Sequence, residues 1–225
     1  MRAALSREPF AGGREALGLF ARWPGMAGAL AMWRDPDEQF CWIERPPVPA
    51  IERYLDEATR EGVLGRGWHL EWSSQQPLAL DLLPLLRGRG ALVRDMDDLA
   101  ALLCQIADAR RARVRFDVIS VAQCPRFHVD NVKARLLCTY WGSGTQWLDE
   151  PDVDRSKLGE GSGGLPDEAS GLILRPGAIR TLPTFAIALL KGRLWPANQG
   201  RGAIHRSPPV ARYVAPRVMV AIDAL

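Results

Sequence analysis

The chain reads as an α+β protein in which a mostly helical N-terminal region, residues 1–110, supports a double-stranded β-helix of the jelly-roll or cupin-like kind, residues 111–225, the two forming one structural domain. Three observations predict this. Helical periodicity is confined to the first half of the chain. After Arg111 the sequence breaks into short apolar runs punctuated by Gly and Pro, the texture of a barrel or double sheet. No internal repeat or composition break separates two units, and 225 residues suffice for one substantial core.

Taken in order, residues 1–45 carry GG, WPG and DPDE breakers, with short helices expected over 14–22 and 26–33. PPVP then leads into AIERYLDEATREG, where Ile51, Tyr54, Leu55 and Ala58 follow helical spacing, a proline opens the helix and Gly62 stops it. RGRGALVRD, residues 87–95, reads as a solvated basic loop. A second helix is expected over DMDDLAALLCQIADARRA, with Asp95 as N-cap, acidic residues in its first turn, arginines at its end, and Leu99, Leu102, Leu103 and Ile106 on its apolar face. Strands are expected in VRFDVISVA, RLLCTYWG, FAIALLKG, GAIHRS and PRVMVAID, with two more around the PG turn of GLILRPGAIRTLP. The polar, Gly-rich stretch at 150–170 reads as a long surface loop, a lid over the site.

Composition narrows the function classes. A net charge of +3 from 29 basic and 26 acidic interspersed residues leaves no nucleic-acid footprint. Cys41, Cys104, Cys124 and Cys138 form neither a CxxC pair nor a zinc-finger spacing, and a chain of this size needs no disulfide staples. No apolar window approaches a membrane span and the N-terminus has no secretory texture, so a reducing cytoplasm is expected.

The chemistry concentrates in RFHVDNVKARLLCTYWGSGTQWL and GAIHRSPP. The chain has three histidines, and two of them, His128 and His205, sit in these stretches, with Asp130 two residues after the first. In an extended segment residues i and i+2 point to one face, so His128 and Asp130 can reach one ion, and His205 joins them if its strand pairs nearby. Two imidazoles and a carboxylate on one face, with positions left open, are what a mononuclear iron site uses, which points to a metal-dependent oxygenase. His128, Asp130 and His205 are therefore the candidate metal ligands and catalytic centre. An arginine on the same face would hold the far carboxylate of an acidic cosubstrate by a bidentate fork. Arg217, twelve residues after His205, is preferred, with Arg206 and Arg212 as competitors. Tyr140, Trp141, Thr145 and Trp147 are candidate pocket-wall residues, Tyr140 also a cofactor-binding one, and Lys191 and Trp195 candidates for substrate binding. Asn131 is placed to fix the Asp130 carboxylate or to cap a turn.

The order H-x-D, distant H, then Arg on a terminal strand resembles the 2-oxoglutarate and Fe(II)-dependent oxygenase superfamily, whose fold is a double-stranded β-helix. RFHVDN, LLCTYWGSGTQWL, KGRLWPANQG and AIHRSPP together are similar to a bacterial domain-of-unknown-function family over most of residues 40–225. The resemblance implies iron at His128, Asp130 and His205 and 2-oxoglutarate at Arg217. Some members of the bacterial family lie near genes for zinc-starvation responses, which keeps zinc beside iron. One position departs from the superfamily pattern: where a small hydroxyl residue follows two positions after the clamp, this chain has Met219. Two other readings stand beside the oxygenase: a cupin-like protein binding metal, zinc included, for homeostasis without turnover, and a non-enzymatic β-scaffold. The substrate, a small molecule or a protein, and the oligomeric state are not legible.

Overall fold

The computed structural model describes residues 22–121, 123–196, 198–208 and 216–225. The helix expected over 14–22 and the competing Arg212 lie outside the described residues, Arg22 excepted. In chain order the helices are α1 (Met26–Arg34), α2 (Pro49–Arg60) and α3 (Arg89–Ile106). The strands are β1 (Phe40–Ile43), β2 (Gly67–Ser73), β3 (Arg111–Ile119), β4 (Ala134–Trp141), β5 (Gln146–Trp147), β6 (Arg180–Thr181), β7 (Ile187–Lys191), β8 (His205–Arg206) and β9 (Arg217–Ala224).

A six-stranded antiparallel sheet, order β1-β7-β4-β9-β3-β2, faces a smaller one, order β6-β5-β8, in the manner of a double-stranded β-helix. The N-terminal half is more than a helical support, because β1 and β2 form the two edges of the large sheet. α2 matches its sequence pattern, with proline at its start and Ile51, Tyr54, Leu55 and Ala58 buried. α3 does not match: it begins at Arg89, so residues 89–95 are its first two turns rather than a solvated loop. Gly88, at φ +101°, takes the N-cap position without a side-chain cap. Asp95 is consequently mid-helix and buried, and the arginines expected at the helix end fall beyond Ile106.

Strand alternation builds the layers. Ala112, Val114, Phe116, Leu136, Cys138, Val218, Val220 and Ile222 pack under the helices. Full burial of a side chain the size of Leu or Phe stabilises by roughly 1.5–3 kcal/mol. The opposite face offers Ile119, Leu137, Ala188, Leu190, Met219 and Ala221 to Trp147 of the smaller sheet and to Ala203, two residues before β8. A third apolar cluster, with Phe127, Leu148, Val153, Leu172 and Ile204, joins that sheet to the segment after Glu150. This segment is not a loose lid: it forms 3-10 turns at Glu150–Asp152, Arg155–Lys157 and Gly159–Ser162 and buries Asp152 and Asp167. Of the two strands expected around the PG turn only β6 forms, and Ile173 makes a single bridge to Val153.

Candidate metal centre

The segment before β4 is extended, and its side chains alternate as the H-x-D spacing requires. Phe127 and Val129 pack outward into the third apolar cluster, while His128 and Asp130 line the cavity between the sheets. β8 brings in the third residue. His205 pairs with Trp147 of β5 on one side and with His128 on the other, the two histidines exchanging both backbone hydrogen bonds at 3.0 and 3.1 Å. One ligand atom each from His128, Asp130 and His205 lie within 4.8 Å of one another.

The hydrogen bonds fix which ring nitrogen faces the carboxylate. Nδ1 of His128 lies 2.9 Å from the Arg126 carbonyl and Nδ1 of His205 3.2 Å from the Ala203 carbonyl. A carbonyl only accepts, so both Nδ1 atoms carry hydrogen and both Nε2 atoms present lone pairs in the neutral rings. Those Nε2 atoms lie 3.5 and 3.1 Å from Asp130 oxygens. Three acceptors thus face one another with no donor among them, which is the donor set of a bound cation. Asp130 Oδ2 fits the same reading: it is buried and receives no well-directed hydrogen bond, although Arg135 Nη1 lies 2.6 Å away as an ion-pair partner. Titration reflects the same demand for positive charge. Burial opposes charge on His128, but in the protonated ring an Nε2–H donated to Asp130, the Arg126 carbonyl and the Asp130 charge outweigh it and raise its pKa, a proton then standing where a cation would. Burial likewise opposes ionisation of Asp130, yet both imidazoles and Arg135 hold its carboxyl far below the usual carboxylate range.

The residue that steadies Asp130 is Arg135, not Asn131, which is exposed. Arg135, on β4, reaches Asp130 with Nη1 and grips Asp223 of β9 with Nε and Nη2 at 2.5 and 2.8 Å. Its five-residue spacing from Asp130 carries no local signal, because the chain turns between them.

Arg217 opens β9 and is 1% exposed. It lines the same cavity of about 460 Å³ as the triad, together with Ile119, Leu137, Thr145 and Met219. Its Nε donates to the Ser143 carbonyl at 2.7 Å, and Nη2 donates to Thr145 and Thr139 hydroxyls at 2.8 and 3.1 Å. The GSG turn permits this approach: Gly142 has φ +83° and a Cβ there would stand 3.2 Å from the Arg217 Cα, while a Cβ on Gly144 would collide with the Leu182 carbonyl.

Other candidates fall elsewhere. Tyr140 does not reach the cavity. Tyr140 continues the face of Leu136 and Cys138, so its ring is buried under the helices with its hydroxyl donating to Asp95 at 2.7 Å, while a β-bulge between Thr139 and Trp141 shifts the register against β9 beside it. Trp141 packs on that helix side too, and Trp147 stacks on Phe40. Arg206 borders the cavity, but its guanidinium is engaged by Gln146, Asp167 and Glu168, so it anchors β8 instead of offering a second clamp. Lys191 is 2% exposed, donates to the Asp35 carbonyl at 2.6 Å and lies over the rings of Trp33 and Trp195, on the helix side. Thr145 and Met219 do line the cavity.

Comparison with known proteins sets this geometry in context. No curated protein sequence matches the chain. Among solved structures, a full-length Neurospora crassa protein in complex with alpha-KG is similar at TM-score 0.50 and 12% identity, over 96% of this chain and 82% of that one. A Pseudomonas putida prolyl-4-hydroxylase is similar at TM-score 0.48 and 9% identity, over 90% and 94% of the two chains. The Fe(II)/alpha-ketoglutarate-dependent dioxygenase TqaL is similar at TM-score 0.47 and 12% identity, over 89% and 88%. The fold is therefore the double-stranded β-helix that the sequence predicts. No helix among the described residues is long and apolar enough to cross a membrane. A family model for a protein of unknown function, DUF1826, matches residues 26–223, and the chain belongs to that family.

Proposed function

We propose that the chain is an Fe(II)- and 2-oxoglutarate-dependent oxygenase of the hydroxylase type. The observation that carries this reading is the convergence of His128, Asp130 and His205 on the cavity that also holds Arg217. His128 Nε2, Asp130 and His205 Nε2 would hold the metal. Iron bound there supplies the oxidative chemistry, activating dioxygen with 2-oxoglutarate as the co-reductant. Arg217 would receive the far carboxylate of the oxoacid, its fork aimed by Ser143, Thr139 and Thr145 so that little orientation is lost on binding. Ile119, Leu137 and Met219 give the cavity apolar walls that exclude water. Met219 takes the place of a hydroxyl, and Thr145 supplies one to the clamp from the neighbouring turn.

His128 also borders a second cavity of about 820 Å³, lined by Arg126, Val129, Leu158, Gly159, Glu160 and Arg193 among others. A substrate bound there would meet the triad at His128, the one triad residue that this second cavity shares with the first. Reconstitution with Fe(II) without air, followed by 2-oxoglutarate and oxygen, is expected to decarboxylate the oxoacid slowly even before a substrate is known. Retention of zinc with no decarboxylation under iron would overturn the oxygenase reading in favour of a metal-binding protein without turnover.

A further inference from the structure

The segment expected to be a surface loop contributes one carboxylate that reaches both histidine-bearing strands. Asp167 is 3% exposed. Its Oδ2 accepts from the Phe127 backbone N–H at 2.7 Å and from Arg206 Nη1 at 3.2 Å, and its Oδ1 accepts from Arg126 Nε at 2.9 Å. Phe127 immediately precedes His128, and Arg206 immediately follows His205. The Arg206 guanidinium also lies 4.3 Å over the Phe127 ring, so the clip closes through a stacked pair as well as through the carboxylate. Apart from the His128–His205 bridge, the backbones of these segments are joined by the Ser207 N–H donating to the Cys124 carbonyl at 2.9 Å, well short of a continuous ladder.

We propose that Asp167 is a positioning residue for the metal centre, tying the two imidazole-bearing strands together and setting how their Nε2 atoms face Asp130. Its own carboxylate is held by Phe127, Arg126 and Arg206, so it acts through the strands without touching the metal. It also anchors the wall of the second cavity, since Leu158–Gly164 and Asp167 belong to one segment whose Leu165 carbonyl accepts from Arg126 at 2.6 Å. This inference rests on the metal reading of the triad.

Co(II) serves as the probe, because its absorption reports ligand geometry independently of turnover. Full-length metal-free protein is titrated with Co(II) for the natural chain, Asp167→Asn, Arg126→Ala and the control Asp152→Asn. Asp152 is an equally buried carboxylate of the same segment, paired with Arg175 and remote from both histidines in the hydrogen-bond network. Asp167→Asn is expected to weaken Co(II) binding about 10–100-fold, the range for residues that orient metal ligands, and to alter the visible bands. Arg126→Ala, on an exposed side chain, is expected to move both in the same direction by less. Asp152→Asn is expected to lower thermal stability while leaving affinity and bands unchanged. Natural affinity and bands in Asp167→Asn, or in Arg126→Ala should Asp167→Asn not fold, overturn the proposal. Failure of the natural chain to bind Co(II) overturns the metal reading itself.

Discussion

The two faces of the large sheet bury the same residue types and use them differently. On the helix side Arg45 donates to both Asp95 oxygens at 2.6 and 2.7 Å and to the Phe185 carbonyl, and the Tyr140 hydroxyl donates to the same carboxylate. Each charged group of this Arg45–Asp95–Tyr140 network has a directed partner, which is the condition for a buried ion pair to persist in a core. On the cavity side Arg135 shares itself between Asp130 and Asp223, Asp130 keeps a buried oxygen without a directed donor, and the Nε2 atoms of His128 and His205 lie one beside each of its oxygens. A saturated network is architecture; a convergent set of acceptors is the donor set of a cation site.

This contrast is broken most strongly from the helix side. Asp95→Ala leaves the Arg45 charge buried and unpaired and is expected to lower unfolding free energy by about 3–5 kcal/mol. His128→Ala, on a side chain 33% exposed, is expected to change stability by less than about 1 kcal/mol and to abolish metal binding. Urea unfolding of the two variants, paired with metal analysis, checks both; equal destabilisation would erase the distinction between the faces.

The smallest effect is a matter of thiol reactivity. Burial pushes the Cys41 thiol up to about 12 and those of Cys104 and Cys138 to about 11, whereas Cys124 is exposed at the cavity rim. A maleimide is expected to modify Cys124 alone in the folded chain, and more slowly when the cavity is filled. Labelling of Cys138, against which Arg45 packs, without unfolding would show the helix face to be looser than described.

What the sequence made legible was periodic or chemically rare. The convergence of His128, Asp130 and His205 could be anticipated because two-residue spacing and few histidines single them out, and α2 because its stripe begins at a proline. What escaped depended on partners distant in the chain. Asp95 resembled an N-cap because acidic residues favour helix starts, and Arg45, fifty residues earlier, and Tyr140, forty-five later, explain it within a helix. Tyr140 was misplaced because alternation tells that it shares a face with Leu136 and Cys138 but not which of the two faces looks into the cavity. Arg135 and Asp167 look like ordinary surface charges until the fold sets each beside the ligand strands. The 150–170 segment read as a surface loop for the same reason: its order comes from Asp152, Arg155 and Asp167 reaching Arg175, the Arg201 and Gly202 carbonyls and Arg206, not from local periodicity.

Calorimetric titration of 2-oxoglutarate into the anaerobic, Fe(II)-loaded chain tests the pairing of triad and clamp most directly. One iron per chain is expected, with oxoacid binding that requires the metal. Arg217→Met is expected to keep the iron and to weaken oxoacid binding about 10–100-fold, the worth of one charge-assisted contact of roughly 1.5–3 kcal/mol. Undiminished oxoacid binding in Arg217→Met, or binding indifferent to removal of the metal, would contradict the assignment of this cavity.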